Sequence, residues 1–473
     1  MNYKSILFYL GIFSLLVSLF SIFNILYTIY FSFYINLNSY IITFASSLFI
    51  GSLFCFLGKK NSNKILLSEQ IIFIILCFVL IPILISVPYY LSIYDIGFLN
   101  SYFESVSGFT TTGFSIIKNV EIIDEPLLLW RSSSQWLGGL LFLLATIGTI
   151  GSKQIKIKPS YLISGGASGR NFYNNFNVNF IKIVLIYSIL TIALIFIFKI
   201  FNIRLLESFN LAFTVISSGG FFTKNYLSSI ILNDIQIFVL SVALLLPIFN
   251  FFILFDIITK KFKLKNYQED LHLATFISLT TAFFYFFINS DESFANILLS
   301  VTSSIATSGL AMYSDNNNSA LFFILLTIVG GSLISTSSGF KYTRIYILLK
   351  ISYQEIIRIV KPINIIDKNL FNREAIIDDQ DVKIAFLVFI SFILSLFILS
   401  SILTFDSLSF ETSFKLSILT LTNTLNSSLY GLDGVIFFDL NNFSKMSLIC
   451  FMLLGKIEII AILFLISKFI FRE

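Results

Sequence analysis

Apolar stretches long enough to cross a lipid bilayer recur along the whole chain, separated by short polar connections. Two such stretches open the chain, at Tyr3–Tyr30 and Ser39–Leu57. A pattern of three segments follows them: a long apolar helix, a shorter segment rich in Ser, Thr, Gly or Asn near its end, and a second long apolar helix. The pattern predicts an all-α membrane protein.

The three-segment pattern occurs four times. Its long helices are predicted at Ser68–Ser92 and Pro126–Ile150, Asn179–Phe201 and Ser228–Lys260, Leu271–Asn289 and Ser319–Lys350, and Val382–Thr404 and Ser444–Phe471. The short segments between them are Phe98–Ser115, Leu206–Phe222, Ser293–Ala311 and Leu408–Leu429. Irregular backbone at membrane depth is tolerated only where it lines a cavity or is buried in protein. We therefore predict four re-entrant pore loops, numbered 1 to 4 in chain order, around one central pore.

These patterns divide the chain into five parts. Residues 1–67 hold the two extra N-terminal helices, and residues 68–158, 159–266, 267–365 and 366–473 hold pore units 1 to 4. The tips of the short segments are spaced by roughly 90–120 residues, which indicates repeated helix–pore loop–helix units. The tips are Gly113, Gly220, Gly309 and Asn426.

Composition agrees with a membrane protein, because 56% of the residues are hydrophobic and only 12% are charged. The net charge of +5 comes from lysines and arginines that gather in alternate connections. The positive-inside rule then places both termini in the cytoplasm and gives an acidic outer face that would concentrate cations. The alternative is that these connections are acidic only because basic residues are absent from them. We therefore expect the basic residues to reflect topology in a lipid bilayer, and the protein to bind lipid and not nucleic acid.

Pore loops 1 to 3 place a glycine after small, mostly hydroxyl residues. A filter that strips water from potassium needs several carbonyl oxygens aimed at one axis, and glycine adopts the required backbone angles most easily. Each loop follows a short helix whose partly negative C-terminal end would point toward the cation. The candidate ion-binding residues are Thr111, Thr112 and Gly113, then Ser218, Gly219 and Gly220, then Thr307, Ser308 and Gly309. Close helix packing also favours such residues, but three similar loops favour a pore.

Five motifs resemble the potassium-translocating membrane subunit of the Trk/Ktr/HKT superfamily, in the family's order and over nearly the whole chain. They are Thr110–Phe114, Trp130–Gly139, Ser218–Phe221, Ile305–Leu310 and Leu454–Glu458. The resemblance implies potassium uptake across a bacterial inner membrane, with potassium as the substrate and no covalently bound cofactor. It also implies a homodimer that binds a cytosolic, nucleotide-binding regulatory subunit.

The last long segment of the third unit contains Gly and Ser residues at its centre, which weaken a membrane helix and leave backbone groups without partners. The resemblance implies an intramembrane loop here that gates the pore, with Lys456 facing the permeation path where the family generally has Arg. A kinked helix and a lysine that snorkels toward the interface are the alternatives. The gate residues are Gly330, Gly331, Ser335, Thr336, Ser337, Gly339, Lys341 and Lys456.

Pore loop 4 departs from the family pattern of a polar residue, an apolar residue and glycine. Its candidate ion-binding residues are Thr424, Leu425 and Asn426, and either Leu425 or Asn426 takes the place of the glycine. Asn tolerates a positive φ and Leu does not, so we predict the register with Asn426 in that place. The alternative function is then a sodium-permeable or poorly selective cation transporter of the same fold.

Other classes of protein fit less well. A membrane enzyme would need a catalytic constellation, but the sequence has no second His, no paired intramembrane carboxylates and no nucleotide-binding glycine loop. We therefore predict a transporter and not an enzyme. A polytopic scaffold with a decayed pore is a further alternative, against which the three glycine-containing loops argue.

Overall fold

A computed structural model describes residues 3–58, 67–150, 176–258, 267–287, 292–312, 319–360, 370–371, 377–406, 408–432 and 434–457. Every regular element within these ranges is a helix. The predicted end of the final helix after Ile457 lies outside these ranges, and with it Glu458 of the Leu454–Glu458 motif. Several charged residues of the polar connections, on which the predicted topology depends, lie outside them as well: Lys59, Lys60, Lys64, Lys153, Lys156, Lys158, Lys260, Lys261, Lys263, Lys265, Lys361, Asp291, Asp315 and Asp433.

The chain opens with α1 (Tyr3–Tyr30) and α2 (Leu37–Gly58), which pack closely along their length. Glycine makes this approach possible. A β-carbon on Gly11 would lie 2.8 Å from the carbonyl oxygen of Gly51, and one on Gly58 would lie 2.5 Å from that of Lys4. Small residues at a helix interface are a common way to pair helices in lipid, where no hydrophobic effect drives the contact.

Long and short helices then alternate in the predicted order. The long ones are α3 (Leu67–Tyr90), α5 (Glu125–Ile150), α6 (Phe176–Ile200), α11 (Gln268–Phe287), α15 (Asp379–Thr404) and α17 (Asn442–Ile457). The short ones are α4 (Phe98–Phe109), α7 (Leu205–Ser217), α12 (Phe294–Ile305) and α16 (Phe410–Thr422). The all-helical architecture is thus confirmed. A structural repeat relating the units, and the boundaries between them, stay predictions.

Six described helices are long and apolar enough to cross a membrane. They differ in how much of their surface the protein covers. In α3, 61% of the apolar window is buried, whereas only 28% is buried in α6 and in α15. A helix that is apolar all round yet largely uncovered is suited to contact lipid. Helix α3 therefore lies in the interior, and α6 and α15 lie at the periphery.

The predicted single helix Ser228–Lys260 is wrong, because the structure breaks it into three. These are α8 (Asp234–Ala243), α9 (Leu245–Ile248) and α10 (Phe251–Ile258). Pro247 lies at the break. It has no N–H to donate, and its ring would clash with the carbonyl group of Ala243 four residues earlier.

The predicted helix Ser319–Lys350 is interrupted as well. Helix α13 (Ala320–Val329) ends at Gly330, and α14 (Tyr342–Val360) begins twelve residues later. We call residues 330–341 the intramembrane loop. The alternative of a kinked but continuous helix is therefore wrong.

The two interruptions face each other and share backbone hydrogen bonds. Ser332 N donates to Ile248 O at 2.8 Å, Ser337 N donates to Pro247 O at 3.1 Å, and Phe251 N donates to Ile334 O at 2.9 Å. Polar backbone groups without partners are costly in an apolar environment. Each break therefore supplies the partners that the other one needs.

Candidate functional site

The four short helices end in loops with the same local geometry. After each helix comes a residue in the left-handed region, and the N–H of the next residue donates to the carbonyl group five positions back. The left-handed residues are Thr111, Ser218, Thr307 and Asn423, with φ of 58°, 59°, 57° and 50°. The donors are Thr112, Gly219, Ser308 and Thr424, at 2.9, 2.7, 3.0 and 2.9 Å. The loops can therefore be matched residue by residue.

This match sets the register of pore loop 4. Because Asn423 is its left-handed residue, Leu425 stands where Gly113, Gly220 and Gly309 stand in the other loops. The predicted register, with Asn426 in the glycine position, is therefore wrong. The backbone conformation that favours Asn falls on Asn423, three residues earlier, and Asn426 has no positive φ. The Asn426 side chain instead donates to Leu432 O at 3.3 Å.

The glycine positions of the four loops meet at one place. A β-carbon on Gly113 would lie 3.5 Å from Gly220 Cα, and one on Gly220 would lie 2.7 Å from Ser308 O. A β-carbon on Gly309 would lie 2.6 Å from Leu425 O. The structure thus brings the candidate residues of all four loops together. All of them are buried except Leu425 and Asn426, which are half-buried.

Hydroxyl and amide groups tie pore loops 1 and 4 to each other. Thr110 Oγ1 and Thr112 Oγ1 are hydrogen-bonded at 2.8 Å, and Asn423 Nδ2 donates to Thr112 Oγ1 at 2.9 Å. Asn423 Nδ2 also donates to Met452 O of α17 at 2.9 Å. The small polar residues around the glycines therefore fix the loops in place. Sequence analysis did not single out Asn423 for this role.

A buried ion pair braces pore loops 1 and 2 from behind. Arg131 of α5 donates from Nε to Glu104 Oε1 of α4 at 2.9 Å, and these side chains are 2% and 0% exposed. Arg131 also donates to Ser115 Oγ at 2.9 Å and stacks on the Phe221 ring at 4.1 Å. A buried pair is tolerated only when further hydrogen bonds satisfy both groups, as they do here. The sequence signal that could have found this pair is one acidic residue, Glu104, and one basic residue, Arg131, within otherwise uncharged segments.

The Trp130–Gly139 stretch of α5 lies against pore loops 1 and 2 because its residues are small or hydrogen-bonded to them. A β-carbon on Gly138 would lie 1.7 Å from Phe109 O, and one on Gly139 would lie 2.6 Å from Ser217 Cβ. Gln135 Oε1 accepts a hydrogen bond from Phe221 N at 3.2 Å. The motif is thus a packing surface for the pore loops.

The intramembrane loop lies directly against the pore loops. Thr336 Oγ1 donates to Ile216 O, at the end of α7, at 3.0 Å. Ser338 N donates to Thr307 Oγ1 of pore loop 3 at 2.9 Å. Lys456 Nζ donates to Thr111 Oγ1 of pore loop 1 at 2.6 Å and to Ser338 Oγ at 2.8 Å. The intramembrane loop thus contacts the end of α7 and pore loop 3 directly, and Lys456 connects it to pore loop 1.

The predicted gate residues make most of the contacts within this loop. Gly330 and Gly339 have positive φ of 64° and 81°, and a β-carbon on Gly339 would lie 3.1 Å from Gly330 Cα. A β-carbon on Gly331 would lie 2.5 Å from Ile248 O. Lys341 Nζ donates to Ser337 O at 2.6 Å and to Ser335 Oγ at 3.1 Å. The loop is therefore closely packed and held by its own lysine.

Both lysines face one aromatic ring. Lys456 Nζ lies 4.3 Å and Lys341 Nζ 5.1 Å from the centre of the Phe142 ring. Each lysine is 1% exposed, so the alternative of a snorkelling Lys456 is wrong. An aromatic face attracts a cation, and hydroxyl and carbonyl oxygens accept its protons. Two lysine amino groups are thus held just beside the residues that begin the pore loops.

Two buried carboxylates support both interruptions from the start of α11. Glu269 Oε1 accepts a hydrogen bond from Leu333 N at 3.0 Å and another from the hydroxyl group of Thr343. Asp270 Oδ1 accepts one from Asn250 N at 2.8 Å. Sequence analysis missed both residues, although two adjacent acids in the first turn of an apolar helix were a usable signal.

The fold is that of a solved transport protein. The structure matches the crystal structure of the potassium transporter TrkH from Vibrio parahaemolyticus with a TM-score of 0.82, over 98% of each chain and at 21% sequence identity. At 21% sequence identity, this structural similarity establishes the fold alone. The class of protein is therefore a polytopic membrane protein with the TrkH fold.

Relatives by sequence extend over most of the chain. It is 26% identical over 471 residues to an uncharacterized cation transporter of Methanocaldococcus jannaschii, covering 93% of this chain and 91% of the relative. It is 25% identical over 456 residues to the potassium uptake protein TrkG of Escherichia coli, covering 93% and 92%. It is 23% identical over 454 residues to TrkH of the same organism, covering 91% and 92%. No protein-family model matches the chain.

The homologues of this chain are thus Trk system potassium uptake proteins, and the resemblance inferred from the motifs is confirmed. These homologues are transporters and not enzymes, and none of them indicates a cofactor.

Replacing Gly138 with Ala is expected to destabilise the protein by about 1–3 kcal/mol, because its methyl group would overlap the Phe109 carbonyl oxygen that ends α4. Gly434→Ala is the matched control, since a β-carbon at Gly434 meets nothing within 4 Å. Thermal unfolding of the purified proteins in detergent measures the effect. Equal unfolding temperatures for the two variants would contradict the close packing of α5 against α4.

Proposed function

We propose that this chain takes up potassium across the bacterial inner membrane, through a passage formed where the four pore loops meet. The observation that carries the proposal is the convergence of Gly113, Gly220, Gly309 and the residues around Leu425 at one place. Its second support is that the relatives over most of the chain are potassium uptake proteins by name. Potassium is the substrate.

The selectivity filter consists of residues 111–113, 218–220 and 307–309, and in pore loop 4 of residues 423–425, which occupy the matching positions. Backbone carbonyl groups and the hydroxyl groups among these residues replace the water around potassium. The left-handed residue at the start of each loop supports this assignment, because alternating backbone conformations can turn successive carbonyl groups to one side.

The gate is the intramembrane loop together with Lys456. Two observations support this role: the loop binds Ile216 and Thr307 beside two glycine positions, and Lys456 bridges Thr111 and Ser338. A fixed ammonium group beside the inner end of the filter repels an approaching cation. Opening then requires that the bridge break and the loop move away from the filter.

The resemblance to the Trk family supports three further parts of the proposal. Both termini lie in the cytoplasm, the chain forms a homodimer, and a cytosolic nucleotide-binding subunit regulates it. Such a subunit would act through the intramembrane loop, which is the irregular segment between α13 and α14.

A second candidate function is a sodium-permeable or poorly selective cation transporter of the same fold. The specific observation in its favour is Leu425 at the fourth glycine position. Leu425 lacks the positive φ of Gly113 and Gly309 and adds a side chain at the glycine position, so this quarter of the ring differs from those two loops.

Cation uptake in a bacterial strain without its own potassium uptake systems tests the proposal. We expect the chain to restore growth at low potassium and Gly113→Leu to abolish it. Gly113 has φ of 85°, and a β-carbon there would lie 3.2 Å from Leu425 Cδ1, so a larger residue both strains the backbone and closes the ring. Gly434→Leu serves as the control. Absence of uptake by correctly inserted wild-type protein would refute the proposal.

The same assay with sodium decides between the two candidate functions. We expect a lower ratio of potassium to sodium uptake than that of TrkH from Vibrio parahaemolyticus assayed in parallel. Asn426→Gly is expected to leave the ratio unchanged, because Asn426 lies one residue beyond the glycine position. A ratio as high as that of TrkH would eliminate the poorly selective alternative, and a ratio restored by Asn426→Gly would contradict the register.

Replacing Lys456 with Gln is expected to raise potassium uptake by about threefold or more, because the charge beside the filter disappears and the bridge to Ser338 weakens. Lys456→Arg, which keeps the charge and the donors, is expected to stay close to wild type. Lys118→Gln changes an exposed lysine and controls for net charge. If folded Lys456→Gln protein transports no faster than wild type, Lys456 has no gating role.

A further inference from the structure

Pore loops 1 to 4 follow one another around the point where they meet. The glycine contacts place loop 1 beside loop 2, loop 2 beside loop 3 and loop 3 beside loop 4. The hydrogen bond from Asn423 Nδ2 to Thr112 Oγ1 at 2.9 Å places loop 4 beside loop 1 and closes the ring. Loops 2 and 4 are therefore opposite each other.

The side chain of Leu425 extends from loop 4 to the opposite loop. A β-carbon on Gly220 of loop 2 would lie 2.7 Å from Leu425 Cβ and 3.0 Å from Leu425 Cδ2. The other methyl group, Cδ1, lies 3.2 Å from the position of a β-carbon on Gly113. Contact between opposite members of a ring is possible only through its centre. The isobutyl group of Leu425 thus lies across the centre of the glycine ring.

Burial distinguishes the leucine from the three glycines of the ring. Gly113, Gly220 and Gly309 are buried, whereas Leu425 and the following residues 426–428 are half-buried. The leucine is therefore the most accessible of the four residues at the glycine level. A half-buried side chain has space on one side into which it can rotate, and rotation of such side chains is fast.

An apolar group in this position opposes ion passage in two ways. It offers no oxygen ligand to a cation that has lost its water, and it makes the constriction unfavourable for water itself. A filter with glycine at the fourth position would have neither obstacle. The chain thus carries a barrier within the filter, separate from the intramembrane loop on the other side of Thr111 and Thr307.

We propose that Leu425 is an apolar gate at the glycine level of the filter, and that its side chain must rotate out of the ring for each ion to pass. The proposal rests on the potassium uptake proposed above. It assigns to Leu425 the rate-limiting barrier of the open pore, whereas the intramembrane loop and Lys456 control access from the opposite side.

A series of residues of different size at position 425 tests the gate. Wild-type protein and the variants Leu425→Gly, Leu425→Ala and Leu425→Phe are reconstituted in liposomes, and uptake of labelled rubidium or potassium is measured at equal protein content. We expect the rate to rise in the order Phe, Leu, Ala, Gly, by about tenfold or more from Leu to Gly, which corresponds to a barrier lowered by about 1.4 kcal/mol. Leu232→Gly, at a leucine that is 76% exposed and lies away from the ring, controls for loss of an apolar side chain.

The outcomes separate this gate from the proposed function. Uptake that is abolished by Gly113→Leu but is not raised by Leu425→Gly or Leu425→Ala would overturn the gate and leave the function standing. Uptake by neither the wild type nor any variant at position 425, with all of them folded in the liposomes, would overturn both. A rate that rises as the side chain shrinks, and that Gly113→Leu abolishes in the Leu425→Gly background, supports both.

Discussion

Backbone N–H and C=O groups in the middle of a bilayer have no water to bind, so every interruption of a helix needs partners within the protein. The structure meets this constraint by placing its interruptions together. The break at Pro247 and the intramembrane loop exchange hydrogen bonds, and Glu269 and Asp270 accept two further N–H groups at the same place. The intramembrane loop also hydrogen-bonds to the pore-loop region, through Ile216 O and Thr307 Oγ1. A movement of that loop therefore changes the surroundings of the pore loops.

Charged side chains inside the protein are held in two different ways. Glu104 and Arg131 neutralise each other behind pore loops 1 and 2, and additional hydrogen bonds and an aromatic ring complete their surroundings. Lys341 and Lys456 are held by hydroxyl and carbonyl oxygens and by the face of Phe142. The ion pair is costly to break, since either partner alone would be an uncompensated buried charge. We therefore infer that this ion pair is a rigid support behind the pore loops.

Pore loop 4 shares backbone features with the other pore loops but carries a leucine where they carry a glycine. The fourth loop keeps the left-handed residue, the backbone hydrogen bond and the pair of threonine hydroxyls found in the first loop. The difference from the first loop lies at the glycine position, where loop 4 has Leu425. The loop thus retains its shape while its side chain enters the space that three glycines leave open.

The sequence by itself determined the helices, their order and the location of the four pore loops, because apolar length and clusters of small polar residues are local properties of the chain. It also indicated the intramembrane loop, since Gly and Ser at membrane depth weaken a helix locally. The family motifs identified the homologues. Tertiary structure decided the register of loop 4, because both Asn423 and Asn426 could take the left-handed conformation and only the backbone angles show that Asn423 does. It also decided which residues support the site: Glu104 with Arg131, Glu269, Asp270 and Asn423 find partners that are distant in sequence. Such partners depend on how helices pack, which the period of hydrophobic residues does not specify.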